Sequence, residues 1–418
     1  MIKFIHTADI HLDSPLKGLE TYEDAPVEEI RRATRRAFDN LIDLAIDEEV
    51  DFILIAGDLY DGDWKDYNTG LFFAARMGRL SKARIRVFIV SGNHDAASQI
   101  TKAMPLPDNV TLFSFRKPQS VKLDDLDVVI HGQSYSSRAV TENLASQYPQ
   151  FDSNYFNIGL LHTSLTGREG HENYVPCTLD DLTSKGYDYW ALGHIHKREV
   201  ISKDPMILFP GNIQGRHIKE TGAKGATLVT VEDGRITEVK EPELDVLRWS
   251  ICHVDLSECE TKETVYEKVR SAMEKEQGLT DGKTLALRLQ LEGSCLLHAE
   301  LHARSTQMTE EIRGIAASLG DIWLEKVNFR TNRKTSMEEI VGENTPLSGL
   351  MQAIESLDFG EDALTTLVPD LANLRTKLPA ELLDEDSLTE SQPENLSELQ
   401  EEVKEFLIAK LIQHGGEA

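Results

Sequence analysis

The chain has 418 residues, of which 40% are hydrophobic, and its formal net charge at pH 7 is −27. This length allows a large core and exceeds one typical domain, so we expect about two or three domains. The negative charge taken alone argues against a nucleic-acid-binding protein, because such proteins usually present a basic surface.

The acidic charge is unevenly distributed. Residues 337–418 carry 19 acidic and 4 basic side chains, so more than half of the net negative charge lies in this last segment. The net charge therefore does not exclude a polyanionic substrate for the rest of the chain. No run approaches roughly eighteen consecutive apolar residues and no signal-peptide pattern is visible, so we expect a cytoplasmic protein without a membrane span. The four cysteines form no CxxC pair, which predicts free thiols.

The first half of the chain repeats one pattern, in which an apolar run rich in strand-forming residues ends in Asp, Asn, His and Gly. Helical stretches separate the first three runs, which predicts a parallel or mixed sheet with helices on its faces. Ligands of open α/β sheets bind beyond the carboxyl ends of the strands, where these polar clusters lie. The main runs are IKFIHTADIH, DFILIAGDLYD, RVFIVSGNHD, FNIGLLHTS and DYWALGHIH.

Two further parts follow these runs. A predicted hairpin with an Asp-Gly turn, ATLVTVEDGRITEVKE, ends the first part. From about residue 245 to 332 the pattern becomes strand, helix, strand, helix, strand, without polar strand ends. Beyond it we expect amphipathic helices joined by an acidic linker. We therefore predict an α/β domain over residues 1–242, a small β-α-β-α-β module over 243–335 and an acidic helical tail over 336–418.

The strand-end residues form a candidate metal site. Alternation along a strand points residues i and i+2 the same way, so the two histidines of GHIH face one point. A set of carboxylates, imidazoles and one amide suits Mn²⁺, Fe²⁺ or Zn²⁺ better than Mg²⁺ alone. Satisfied core histidines are the structural alternative. The candidates are Asp9, His11, Asp58, Asn93, His94, His162, His194 and His196.

The order of these motifs resembles the calcineurin-like metallophosphoesterases. TADIHL, AGDLYD, GNHD and GHIH, with the module and tail that follow, look most similar to the SbcD-type DNA repair exonucleases, especially their YhaO-like branch. The resemblance implies a four-layer α/β/β/α sandwich followed by a cap module, and a pair of metal ions. One ion would bind Asp9, His11, Asp58 and His196, and the other would bind Asp58, Asn93, His162 and His194.

The resemblance also implies the chemistry and the partners. His94 would not bind metal but would stand near the leaving oxygen as general acid or as a charge stabiliser. The ions, expected to be Mn²⁺, would promote hydrolysis of DNA phosphodiesters. Arg216, which follows FPGNIQG at another strand end, is a candidate for substrate contact. Expected partners are DNA, an SbcC-like, SMC-type ATPase and a second copy of the chain. The acidic tail is a candidate docking segment for the ATPase.

Two other functions remain open at the level of sequence. GNHD and GHIH belong to the whole superfamily, so a phosphatase or a cyclic-nucleotide phosphodiesterase would carry the same site. A non-catalytic adaptor for an ATPase is the second alternative. The complete ligand set argues against the adaptor, because a protein that only docks need not retain all of these residues.

Overall fold

The computed structural model describes residues 1–14, 27–61, 67–97, 106–165 and 175–333, together with isolated positions beyond residue 348. Contacts divide the chain into two units, residues 1–250 with 280–287 and residues 251–279 with 288–418. The predicted tail falls almost wholly outside the described residues, and its helices stay predictions. Within the described parts, no helix is long and apolar enough to cross a membrane.

The first unit alternates strands and helices in its amino-terminal part and is rich in strands afterwards. Its elements, in chain order, are β1 (Ile2–Thr7), α1 (Val27–Asp47), β2 (Phe52–Ala56), α2 (Tyr67–Lys82), β3 (Arg86–Val90), α3 (Asn93–Ala97), β4 (Val110–Leu112), β5 (Gln119–Leu123), β6 (Val128–Gly132), β7 (Phe156–His162), α4 (Leu179–Thr183), β8 (Tyr189–Gly193), β9 (Glu199–Lys203), β10 (Met206–Phe209), β11 (Thr227–Glu232) and β12 (Arg235–Lys240).

These strands form two six-stranded sheets with the orders β12-β11-β1-β2-β3-β4 and β5-β6-β7-β8-β10-β9. Strands β1 to β4 run parallel, as do β6, β7, β8 and β10. Buried side chains from both sheets, such as Phe52 and Leu160, pack in one cluster. Phe38 and Met77 from the helices pack on the other face of the first sheet, and Leu182 packs against the second. The predicted four-layer α/β/β/α sandwich is therefore confirmed.

Strand β2 shows why the central runs are apolar without interruption. Phe52, Leu54 and Ala56 point toward the second sheet and join the cluster between the sheets. Ile53 and Ile55 point the other way and pack with the helices. A parallel strand covered on both faces needs apolar residues at every position, whereas a strand with one wet face alternates. The sequence FILIA meets that requirement.

The predicted hairpin is also confirmed. Strands β11 and β12 pair antiparallel, and β11 pairs antiparallel with β1. The turn residues Asp233 and Gly234 have φ of 49° and 72°. Two residues with positive φ are what a tight hairpin turn requires, which is why Asp-Gly is favoured there.

The remaining elements are three strands and three helices: β13 (Leu247–Asp255), α5 (Lys262–Gly278), β14 (Thr284–Cys295), α6 (His298–Ala303), α7 (Ser305–Leu319) and β15 (Ile322–Arg333). The three strands form one sheet with the order β13-β14-β15. The second helix predicted for this module is two helices, because Arg304 leaves the helical region with φ −119° and ψ 28°. The domain boundary predicted at residue 242 stays a prediction. All four cysteines are free, as expected, and all four are buried.

A glycine in β7 provides a test of the packing. A Cβ added at Gly159 would overlap the indole of Trp190, a fully buried ring that stacks on Tyr187 at 5.0 Å between centroids. We expect Gly159→Ala to lower the free energy of unfolding by about 1–3 kcal/mol, because an overpacked core shifts its side chains and backbone. Denaturant unfolding followed by circular dichroism measures this change.

Gly78 in α2 is the matched control, because a Cβ there meets nothing within 4 Å. Gly78→Ala should raise the free energy of unfolding by about 0.5–1 kcal/mol, since glycine weakens a helix interior. Equal effects of the two substitutions on the free energy of unfolding would show that contact with Trp190 does not prevent a larger residue at position 159.

Candidate metal centre

The residues at the strand ends adopt a backbone conformation that is uncommon for side-chain-bearing residues. Asp9, His11 and Asp58 have φ of 50°, 46° and 51°, and His194 has φ of 109°. Such values cost energy outside glycine and persist where the surroundings enforce them, often at functional sites. The loop after β1 is fixed to the loop after β2, since the His11 amide donates to the Asp58 carbonyl over 2.9 Å.

Two motif glycines allow the strand ends to approach each other. A Cβ at Gly92, before Asn93, would overlap Oδ1 of Asp58, and a Cβ at Gly193, before His194, would overlap the Ala56 carbonyl oxygen. The glycine in GNHD is therefore required by contact with the loop after β2, and the glycine in GHIH by contact with the last residue of β2. Without them the ligand-bearing loops would be pushed apart.

The structure brings the predicted ligands into two neighbouring groups. In the first, the ligand atoms of Asp9, His11 and His196 lie within 4.8 Å of one another. Nε2 of His11 is 3.2 Å from Nε2 of His196. The Asp9 carboxylate is held in place by the backbone N–H of His194, which donates to both of its oxygens at 3.0–3.1 Å.

The second group contains Asp58, His162 and His194, again within 4.8 Å. Nε2 of His162 lies 3.4 Å from Oδ2 of Asp58 and 3.0 Å from Oδ1 of Asn93. The other ring nitrogen of His162 is 2.9 Å from the Ala56 carbonyl oxygen, which fixes the ring. A metal-ligating histidine usually donates its second N–H to such a carbonyl.

Asp58 lies between the two groups. Its Oδ2 atom is 4.0 Å from Nε2 of His11 in the first group and 3.4 Å from Nε2 of His162 in the second. Two cations at about 3.5–4 Å need a shared anionic ligand to screen their repulsion. The donor set fits a pair of divalent ions, because carboxylate and imidazole atoms from both sheets converge here. The individual ligand assignments stay predictions.

Burial shifts the pKa values of these groups. Burial raises the pKa of the Asp9 carboxyl, and nearby His196 and His162 offset this only in part. Burial acts the same way on Asp58, yet the charge and hydrogen bond of His162 hold the pKa of that carboxyl well below its usual range. Burial opposes protonation of His162, but Asp58 raises its pKa to about 9. The site is thus an electrostatically coupled set, as a charged cofactor site is expected to be.

His94 stands beside the two groups and has a different partner. Its Nδ1 atom is 2.6 Å from Oδ1 of Asp61, and its backbone N–H donates to Oδ1 of Asp58 over 3.0 Å. Asp61 also accepts a hydrogen bond from Ser14 and lies 3.9 Å from Nδ1 of His11. Although His11, Asp61 and His94 could hold an ion by distance, the direct Asp61–His94 hydrogen bond favours an orienting role for the carboxylate.

Asp61 had no predicted chemistry, and Glu220 was not among the predicted site residues. Glu220 is buried, and its Oε1 atom is 2.6 Å from Nδ1 of His196. Its Oε2 atom accepts from Asn212 Nδ2 and from the backbone N–H of Arg216, both at 2.8 Å. Burial favours the neutral acid, but Arg216 and His196 hold the pKa of Glu220 well below its usual range. Glu220 therefore orients a predicted metal ligand.

Arg216, the predicted substrate contact, lies at this same edge. Its side chain is only 14% exposed, its Nη2 atom donates to Glu220 at 3.2 Å and its Nη1 atom is 3.8 Å from Asp61. Arg216 thus connects the carboxylate behind His196 with the carboxylate behind His94. Its contact with substrate stays a prediction.

The last residue of GNHD has a role that spacing did not reveal. Asp95 is buried and accepts the backbone N–H groups of Leu59, Tyr60 and Gly92 at 3.2, 2.8 and 3.1 Å. Burial and the neighbouring charge of Asp58 raise the pKa of Asp95 to about 6. Asp95 therefore ties the loop after β2 to the loop after β3. The only sign of this role in the sequence was that Asp95 is the last residue of the GNHD motif.

Comparisons with known proteins agree with this geometry. The model of the calcineurin-like phosphoesterases matches residues 2–198, and the middle domain of metallophosphoesterase YhaO matches residues 249–332. The uncharacterized metallophosphoesterase YhaO of Bacillus subtilis strain 168 is 39% identical over 374 residues, which cover 86% of this chain and 88% of the relative. The chain belongs to the metallophosphoesterase family.

A dimetal phosphatase from Danio rerio, known from its crystal structure, covers 56% of this chain and 93% of its own at 10% identity, with a TM-score of 0.35. Family membership identifies the protein as a metal-dependent hydrolase, and the family together with the two side-chain groups implies two divalent ions. The nuclease activity and the identity of the metal as manganese stay predictions.

The position of Asp58 generates a test of the two-ion centre. Asp58→Ala removes the carboxylate that faces both groups, so we expect bound metal to fall by about two ions per chain. Plasma emission spectrometry after dialysis measures the content. A variant that keeps both ions at full occupancy would show that Asp58 is not the shared ligand.

Glu220 generates a second test. Glu220→Gln should weaken metal binding by about ten- to a hundredfold, the usual effect of removing the carboxylate behind a ligating histidine. Competition with a fluorescent chelator measures the affinity. Glu325→Gln is the matched control, since Glu325 is also buried and paired, with Arg288 at 2.6 Å. An unchanged metal affinity in Glu220→Gln would show that Glu220 does not contribute to metal binding.

Proposed function

We propose that the protein is a metal-dependent phosphodiesterase that cuts DNA. The observation that carries this proposal is His94, which stands beside the shared carboxylate Asp58 and is held by a carboxylate of its own, Asp61. Such an arrangement serves cleavage of an ester with a poor leaving group, because an alkoxide of a sugar must be protonated as it departs. The resemblance of the four motifs to SbcD-type exonucleases supports DNA as the substrate.

The residues divide the chemistry between them. Divalent ions, when bound, supply charge stabilisation of the phosphoryl group and activation of water. Burial disfavours protonation of His94, but the hydrogen bond that its Nδ1–H donates to Asp61 and the charge of Asp58 raise its pKa above the ordinary value. The raised pKa favours the protonated imidazole, which is the form that can donate a proton to the leaving sugar oxygen. Asp61 orients the ring, and Arg216 supplies positive charge for the phosphate.

The same proposal extends to partners. The protein acts as the nuclease subunit of a complex with an SbcC-like, SMC-type ATPase, and two copies associate as a homodimer. The resemblance supports both associations. The 19 acidic side chains of residues 337–418 would steer that segment toward a basic surface of the ATPase.

End-labelled single- and double-stranded DNA tests the substrate class. We expect the metal-loaded protein to shorten linear DNA with Mn²⁺ or Mg²⁺, alone or with the ATPase, and to hydrolyse p-nitrophenyl phosphate, a small monoester, far more slowly. The reverse preference would favour a phosphatase, and activity on neither substrate would favour the adaptor.

His94 provides the test of mechanism. His94→Gln should retain metal but cut DNA roughly two to four decades more slowly, the usual contribution of a general acid. The loss should be much smaller with bis(p-nitrophenyl) phosphate, because nitrophenolate departs without a proton. Steady-state rates on both substrates measure the difference. His253→Gln, at a histidine that is 58% exposed in the other unit, is the control. Equal losses on both substrates would contradict proton donation.

A further inference from the structure

A cavity of about 390 Å³ opens on the first unit between the segment after β4 and the loop after β6. Its rim carries Phe115, which is 53% exposed. The guanidinium of Arg116 lies 5.8 Å from the centroid of that phenyl ring. A water-exposed aromatic ring with a basic neighbour at the mouth of a cavity is the arrangement on which proteins stack nucleic-acid bases.

The cavity lies next to the candidate metal centre. Its wall includes Ser134 and Ser136, and Tyr135 between them turns toward the centre, with its ring 5.3 Å from that of His162. The backbone N–H of Tyr135 donates to the carbonyl of Ser91, and the Ser91 N–H donates to Ser134 Oγ, both at 2.9 Å. Ser91 is two residues before Asn93, so one short loop connects the cavity wall with the predicted ligands.

The lining suits a neutral heterocycle better than a phosphate. Among the described residues that line the cavity, one is basic, Arg116, and one is acidic, Glu142. The other polar lining groups are hydroxyls and amides, such as those of Ser136, Ser137 and Thr141. Hydroxyls and amides donate and accept hydrogen bonds without favouring a charge, which matches the edge of a nucleobase. A volume of this size lies within the range of small-ligand pockets.

The backbone that carries Phe115 is held in place. Gln133 Nε2 donates to the Phe115 carbonyl at 3.4 Å, and the Ser134 N–H donates to the Ser114 carbonyl at 3.1 Å. The Ser114 N–H in turn donates to Oε1 of Gln119 at 2.7 Å. A ring presented on a fixed backbone loses little conformational freedom when a base stacks on it.

We infer that this cavity is a base-binding subsite, in which Phe115 stacks a nucleobase of the strand whose phosphodiester enters the metal centre. The inference rests on the proposed function, since it names the part of a DNA substrate that the site would hold. Phe115 is then a substrate-positioning residue, and the ions and His94 act on the phosphate beside it.

The test compares Phe115→Ala with Phe151→Ala, because Phe151 is also 53% exposed and does not line the cavity. Substrates are a single-stranded oligonucleotide and bis(p-nitrophenyl) phosphate, which has no base. We expect Phe115→Ala to lower kcat/KM on the oligonucleotide by about five- to a hundredfold, the effect of losing one stacked base. Hydrolysis of bis(p-nitrophenyl) phosphate should stay within about twofold, and Phe151→Ala should leave both rates unchanged.

An abasic nucleotide placed on either side of the cleaved bond completes the design. At the position whose base occupies the cavity, the abasic substrate should slow the wild type, and Phe115→Ala should cause no additional loss, because the stacked partner is already absent. Cleavage of the normal oligonucleotide at the wild-type rate by Phe115→Ala, or an equal loss on bis(p-nitrophenyl) phosphate, would overturn the subsite. A wild type that hydrolyses only bis(p-nitrophenyl) phosphate would instead overturn the proposed DNA function, and the subsite with it.

Discussion

The Asp58 carboxylate is the contact on which the rest of the site depends. It is buried at the end of a central strand of the first sheet, and His162, at the end of a central strand of the second sheet, lies 3.4 Å away. A buried carboxylate is costly unless it is paired and hydrogen-bonded. Asp58 can pair with His162 only if the carboxyl ends of β2 and β7 lie side by side. The packing of the two sheets therefore creates the pairing that makes the buried carboxylate tolerable.

That convergence explains features that otherwise look unfavourable. Left-handed backbone at Asp9 and His11, and glycines that cannot accept a Cβ, are the consequence of bringing several strand ends within contact distance. The layers of aliphatic and aromatic residues below stabilise this strained rim. Energy from burial of the core is thereby used to hold polar groups in positions that they would not adopt in a shorter peptide.

A second set of carboxylates surrounds the first. Asp61, Asp95 and Glu220 hold, respectively, a ring nitrogen of His94, three backbone N–H groups and a ring nitrogen of His196. Each removes rotational freedom from a group that faces the centre, which is the function of an outer layer of hydrogen bonds around a metal. The negative charge of this region and the expected divalent ions compensate each other.

The sequence by itself determined a sheet covered by helices and the set of strand-end residues, because alternation and uninterrupted apolar runs are local properties of the chain. The four layers were implied by the family resemblance rather than by these patterns. His6 differs from the strand-end histidines because it lies inside β1, where it is buried and hydrogen-bonded to Tyr189. Only the tertiary structure decided which acid serves which histidine. Asp61 with His94, and Glu220 with His196, join loops that are distant in sequence, and their pairing follows from how the sheets pack rather than from any spacing along the chain.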